Sequence, residues 1–228
     1  MTTTRVGFLA FPNMTQLDMT GPLQVFASLP GVELHVIWKT LDPIDAHGGL
    51  RLLPDTAMAD CPALDVICVP GGSGVAALME DEAVLAFLQQ QAATARYVGS
   101  ICTGALVLGA AGLLKSRKAT THWAWLDLLA PLGAIPQTDR VVRDGNVFTG
   151  GGVTAGIDFA LTMVAELAGR DAAEAIQLGI EYAPAPPFDS GRPDRARPEV
   201  LAAVQQRMAA MRADRDGVVS RVRAKLAA

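Results

Sequence analysis

The stretch Arg96-Tyr97-Val98-Gly99-Ser100-Ile101-Cys102-Thr103-Gly104-Ala105 decides how this chain folds. It opens as the end of a short apolar strand and closes in the small residues of a helix, so Cys102 falls at the turn between them. In such a strand-to-helix elbow the turn lifts the side chain out of the sheet, and the helix N-terminus offers backbone N–H groups and positive dipole potential. Both effects favour a thiolate, the reactive form of cysteine. The alternative is a small buried core residue, the ordinary state of a cysteine in apolar surroundings.

Outward from this elbow, strands and helices alternate. The sequence predicts strands at residues 6–11, 34–38, 66–69, 96–99 and 147–149, and helices near 22–29, 81–94, 103–114, 123–129, 155–168 and 171–182. Such alternation predicts an α/β fold, a mostly parallel sheet with helices on both faces. Two hairpins interrupt it, at 44–53 around Gly48-Gly49 and at 141–148 around Asp144-Gly145. After Tyr182 the run Ala183-Pro184-Ala185-Pro186-Pro187-Phe188 cannot continue a helix, and the polar residues 189–198 read as an extended linker. The expected organisation is a body at residues 1–190, followed at 191–228 by a linker and helical tail docked on the body or at a dimer interface.

The composition supports a large packed core. Of 228 residues, 50% are apolar and 18% charged, which excludes disorder. Cys61, Cys68 and Cys102 are an odd number without CxxC or Cys/His ligand spacing, so neither a disulfide framework nor a zinc site is expected. Reduced thiols fit a cytoplasm. Met1-Thr2-Thr3-Thr4-Arg5 runs straight into a strand, and no apolar stretch approaches membrane-spanning length; a soluble, unexported protein is expected.

Charge divides the chain unevenly. Residues 1–190 carry 10 Lys and Arg against 19 Asp and Glu, a balance of −9, whereas residues 191–228 carry 9 against 4, a balance of +5. An acidic body argues against nucleic acid, whose phosphates need a concentrated positive face. In the tail, Val200, Leu201, Val204, Met208 and Met211 follow helical spacing, which predicts a helix laid on protein, either the acidic body of the same subunit or that of a partner.

Ligands of open parallel sheets bind outside the carboxyl ends of the strands. Three segments there bring chemistry: Pro12 to Pro22 with Asp18, the loop Pro70-Gly71-Gly72-Ser73-Gly74, and Cys102. The amides of Gly72 and Thr103 are candidates for an oxyanion hole, since a glycine loop permits close backbone approach; the same loop also reads as a tight turn. It lacks the pattern of a phosphate cradle. Asp18 is a solvated loop carboxylate or a helix-start device in isolation. Facing a buried thiol, it would have a raised pKa and shuttle a proton. Thr103 places a hydroxyl beside the thiol. Thr20 and His122 are candidates for a supporting role around it, with helix capping and a structural histidine as their respective alternatives. Cys61 and Cys68 are read as inert, and Trp123 and Trp125 as packing aromatics.

Five motifs now occur in order: Asp18-Met19-Thr20-Gly21-Pro22, Val69-Pro70-Gly71-Gly72, Ser100-Ile101-Cys102-Thr103-Gly104-Ala105, Ala119-Thr120-Thr121-His122-Trp123, and Thr149-Gly150-Gly151-Gly152-Val153-Thr154-Ala155-Gly156-Ile157-Asp158. Together, over roughly residues 5–190, they resemble the ThiJ/PfpI superfamily. The resemblance implies a flavodoxin-like sandwich, a reactive elbow cysteine and a homodimer. A histidine directly after the nucleophile marks the protease-like branch of that superfamily; Thr103 stands here. Many relatives use Glu as the acidic partner, where this chain offers Asp18. The DxTGP context with a Cys-Thr-Gly-Ala elbow is shared by isocyanide hydratases and by the sensor domains of AraC-type regulators. Those regulators continue into a helix-turn-helix region of about a hundred residues, a domain-sized addition, whereas 38 residues follow position 190 here.

The segment Ile180 to Phe188 with its short helical tail is also similar to the hydratase branch. That resemblance implies a hydro-lyase converting an organic isocyanide and water to an N-substituted formamide. Cys102 would form a covalent thioimidate, Asp18 would move protons, and the Gly72 and Thr103 groups would stabilise charge. Neither metal nor organic cofactor is needed, and the expected partners are a small-molecule substrate and a second copy of the chain. The competing classes are a ligand- or oxidant-sensing domain without its DNA reader and a cofactor-free glyoxalase-like enzyme.

Overall fold

The structure is a computed structural model that describes residues 3–227. In chain order it runs through β1 (Thr4–Leu9), α1 (Gln16–Ala27), β2 (Val32–Trp38), β3 (Ile44–Asp45), β4 (Arg51–Leu52), β5 (Thr56–Ala57), β6 (Val66–Val69), α2 (Val75–Leu78), α3 (Glu82–Ala92), β7 (Tyr97–Ile101) and α4 (Gly104–Ala110). There follow β8 (Lys118–Ala119), β9 (Ile135–Pro136), β10 (Val141–Asp144), β11 (Val147–Gly150), α5 (Ala155–Ala168), α6 (Arg170–Gly179) and α7 (Pro198–Ala227). Short 3-10 turns occupy Met58–Asp60, Trp123–Leu128 and Ala130–Leu132.

Seven strands form the central sheet in the order β10-β11-β7-β6-β1-β2-β5. All pairings within it are parallel except β10 with β11. This is the mostly parallel sheet that the alternating sequence predicts and the flavodoxin-like arrangement that the resemblance implies. The interior strands β6 and β11 are buried at every position, as strands covered on both faces must be. Both hairpins form where expected, β3 with β4 and β10 with β11.

Several boundaries differ from the sequence reading. Pro22 reads as the opening of a helix, yet α1 begins six residues earlier and carries Pro22 inside it. Its buried face of Asp18, Met19, Pro22, Val25 and Phe26 packs on the core, and that tertiary packing overrides the proline signal. Asp18 is therefore a helical residue in the first turn and not a loop carboxylate. The expected helix at 123–129 is a 3-10 turn, and the one at 103–114 shortens to α4.

The tail forms one helix of 30 residues opened by Pro198, a favoured first position. Its docking face lies later than the spacing suggests. Val200, Leu201, Val204 and Met208 are half-buried and Met211 is 39% exposed. Of these five, Met208 alone reaches the core, whereas Val218, Val219 and Val222 are buried in it and Arg215 is buried beside them. Two bidentate pairs fix the helix to the acidic body. Arg221 donates to both carboxylate oxygens of Glu80 at 2.7 and 2.8 Å, and Arg212 to both of Asp127 at 2.9 and 2.5 Å.

Candidate active site

Strand β7 ends at Ile101 and α4 begins at Gly104, leaving Cys102 and Thr103 to make the turn. Cys102 sits at φ +55°, a left-handed conformation that is strained for a residue with a Cβ. The surroundings hold it there. Its N–H is shared between the carbonyls of Gly150 and Gly151 at 3.0 and 2.9 Å, and its carbonyl accepts from the Thr121 hydroxyl at 2.7 Å. Gly104 lets the helix start close under the sheet: a Cβ there would lie 2.0 Å from the Val69 carbonyl oxygen.

Asp18 reaches this elbow from α1 and is fully buried, at 0% exposure. Its Oδ2 accepts the Gly71 N–H at 2.9 Å, and its buried Oδ1 has no hydrogen-bond partner among the described residues. Burial raises its pKa to about 6, outweighing the opposing Gly71 amide and Cys102 contacts. The thiol also moves upward, because burial and the Asp18 charge outweigh the Thr103 amide and hydroxyl that favour the thiolate. This corrects the expectation that the elbow lowers the thiol pKa: a helix of seven residues does not offset loss of water around sulfur. Near neutrality the carboxyl is largely ionised and the thiol keeps its proton.

The Thr103 hydroxyl and amide both favour the thiolate of Cys102. That hydroxyl also accepts the Gly72 N–H at 3.1 Å, so Thr103 does not cap α4 with its side chain. The Gly72 amide expected in an oxyanion hole is thus already engaged. What Gly72 presents instead is a carbonyl, which accepts from Arg215 Nη2 at 2.7 Å. Thr20 does not reach the thiol. It lies inside α1, donates to Gln16 Oε1 at 2.8 Å and faces a second cavity beside Tyr182, because the earlier helix start turns it away from Cys102. His122 accepts from the Ala124 N–H through Nδ1 at 3.3 Å and lowers to a pKa of about 4 through burial and the nearby Arg215 charge. It is a neutral wall residue at physiological pH.

A cavity of about 210 Å³ opens onto Cys102 and Thr103. His47 and His122 line it together with Trp125, Met208, Met211 and Arg215, a largely apolar lining with one cation. Among the described residues, no group of three or more His, Cys, Asp and Glu side chains is arranged to hold a metal.

The sequence pattern of the DJ-1/PfpI family matches residues 4–166, which span the sheet and both partners of the thiol pair. The chain belongs to the DJ-1/PfpI family. It is 60% identical to an isonitrile hydratase of Pseudomonas putida over 222 residues, 97% of each chain. It also superposes on the crystal structure of a ThiJ/PfpI family protein from Pseudomonas syringae with a TM-score of 0.93 and 43% identity, covering 96% of this chain and 91% of the other. That span is too long to leave out the C-terminal helix. A third relative is the HTH-type transcriptional regulator GbdR of Pseudomonas aeruginosa, 34% identical over 75% of this chain but 48% of the regulator.

Arg215 lies beyond the residues matched by the DJ-1/PfpI family, and sequence reading missed it. Its tail is basic throughout, and the apolar stripe directs attention to an earlier part of the same helix. The available signal was spacing: Arg215 stands one turn before Val218 and Val219 and two before Val222, on the face that α7 buries.

Proposed function

We propose that this chain is an isocyanide hydratase, a cysteine-dependent hydro-lyase that adds water to an organic isocyanide and releases the N-substituted formamide. The observation that carries this reading is the 60% identity to an isonitrile hydratase over 97% of both chains. The regulator, by contrast, is matched over less than half its length.

The buried thiol–carboxyl pair supports a reaction that needs no external acid or base. Sulfur attacks the terminal isocyanide carbon while Asp18 takes the thiol proton. The proton then passes from Asp18 to that carbon, giving Cys102–S–CH=N–R. The net change is addition of S–H across one carbon, with no proton gained or lost. Water next adds across the C=N bond, one of its protons passing through Asp18 to nitrogen. Collapse of this adduct breaks the C–S bond, forms the formamide C=O and returns the hydroxyl proton to sulfur. A carboxyl with a pKa near 6 is matched to this relay, because it exchanges a proton readily at neutral pH. The Thr103 amide and hydroxyl hold charge that builds on sulfur.

The apolar wall of the cavity suits an alkyl or aryl substituent on nitrogen. A reducing cytoplasm suits a chemistry that needs Cys102 as a free thiol. The incompletely covered stripe on the first half of α7 is the surface a second copy would bury, so the working unit is a homodimer. Incubation with a simple alkyl isocyanide is expected to yield the formamide by NMR. Cys102→Ala abolishes turnover and Cys68→Ala retains most of it; absence of formamide with the wild-type protein would refute the reading.

A further inference from the structure

Arg215 is 2% exposed, although guanidinium groups are seldom buried without a carboxylate partner. Its planar group stacks 4.0 Å from the centre of the Trp125 ring, and Nη2 donates to the Gly72 carbonyl at 2.7 Å. Nε and Nη1 are buried with no hydrogen-bond partner among the described residues. The neighbouring Arg212, not Arg215, takes Asp127 and Asp216. An unpaired buried cation is costly, and such a group persists in a fold where it acts on something else.

We infer that Arg215 is a positioning residue of the Cys102 site: its guanidinium grips the Gly71–Gly72 segment, whose amides orient Asp18 and Thr103, and its unpaired charge offsets the negative charge of the Cys102–Asp18 pair. The contacts form a continuous path. Arg215 holds the Gly72 carbonyl; the Gly72 N–H holds the Thr103 hydroxyl at 3.1 Å; the Gly71 N–H holds Asp18 Oδ2 at 2.9 Å. The same segment is also held by the Thr15 N–H, which donates to the Gly71 carbonyl at 2.9 Å. Gly72 has little room to yield, since at φ +143° a Cβ would lie 2.6 Å from the Asn13 carbonyl oxygen.

The charge argument is independent of the path. The Cys102 site holds one negative charge, that of its pair with Asp18 from α1, and Arg215 from α7 is the cation that acts on the thiol's side of the cavity. Burial draws the Arg215 pKa down to about 10, so the guanidinium remains protonated at neutral pH. The other titratable groups lining the cavity are His47 from the β3–β4 hairpin and His122, the latter neutral.

The test uses the full chain and two variants. Arg215→Gln keeps a donor for the Gly72 carbonyl and removes the charge; Arg215→Lys keeps the charge and removes the planar fork. Cys102 alkylation by iodoacetamide is followed against pH, and kcat and KM are measured with a simple alkyl isocyanide. In the Gln variant the alkylation profile moves upward by about one pH unit, and kcat falls about tenfold to a hundredfold with KM nearly unchanged. The Lys variant keeps the wild-type alkylation profile but loses kcat. A folded Gln variant that alkylates along the wild-type profile overturns the charge role. If the Gln variant does not fold, a Lys variant with a shifted profile overturns it equally, and a Lys variant with wild-type kcat overturns the positioning role. The turnover readout rests on the isocyanide hydratase reading, whereas the alkylation readout does not; failure of the wild type to turn over isocyanide therefore refutes the former and leaves Arg215 to be judged by alkylation.

Discussion

Asp18→Asn separates what the carboxyl does for the reaction from what it does to the fold. In the folded protein its pKa is about 6 against an ordinary 3.8, because burial penalises the ionised form. The folded state therefore binds this proton more tightly than the unfolded chain does. Between pH 3.8 and 6 the wild type loses stability as pH rises, and above pH 6 the loss is complete. A shift of this size corresponds to about 3 kcal/mol. Asparagine carries no charge, so the variant escapes that loss, and its side-chain oxygen can still accept the Gly71 N–H. Its amide group facing the thiol costs about 1 kcal/mol if it finds no acceptor. The variant is therefore expected to be more stable than wild type at pH 7 by about 1–2 kcal/mol, raising Tm by about 2–8 °C for a chain of this size. Its advantage disappears by about pH 4, where the wild-type carboxyl is also protonated. Turnover falls by about 10² to 10⁴, the usual contribution of a proton-transferring side chain. Thermal unfolding by circular dichroism at pH 7 and pH 4, beside formamide production, tests both halves. A variant that is less stable at pH 7, or whose difference from wild type does not change with pH, refutes the argument that burial holds this carboxyl under an ionisation penalty.

Two further outcomes follow from packing. Gly104→Ala places a Cβ 2.0 Å from the Val69 carbonyl oxygen, where the obstruction is the backbone of Val69 and Pro70; a loss of more than about 3 kcal/mol is expected in urea unfolding, and unfolding at the wild-type midpoint would show that the elbow is less tightly seated. Light scattering is expected to give twice the 23.9 kDa chain mass, falling to the single mass in Leu201→Glu; a wild-type monomer would refute the proposed use of the α7 stripe.

Sequence alone made the sheet and the elbow legible because both rest on local signals. Apolar runs bounded by turn residues mark buried strands, and the switch after Cys102 from an apolar strand to the small residues Gly104 and Ala105 marks the tight turn. Asp18 was legible as a partner of the thiol because it follows the first strand, but its helical setting was hidden by Pro22, whose local preference is outweighed by the buried face of α1. The direction of the thiol pKa was misread for a related reason. The elbow and helix dipole are visible in sequence order, whereas the depth of burial is a property of the closed fold. Thr20 is near Asp18 in sequence and turned away in space; a helix separates residues two apart onto different faces. Arg215 was illegible because its partners, Gly72 and Trp125, are contributed by elements far away along the chain.

The contact between Arg215 and the Gly72 carbonyl joins residues 143 positions apart. Chains are built from the N-terminus at about 5–20 residues per second, and their early parts can begin to fold during synthesis. All the sheet strands, Asp18 and Cys102 precede the docking half of α7. A growing polypeptide consequently acquires its nucleophile seconds before it acquires the cation and the wall that enclose it. The thiol passes through a period in which its pocket is open on one side, and closure of that pocket coincides with the arrival of the final helix. In this protein the site closes only once α7 has been made.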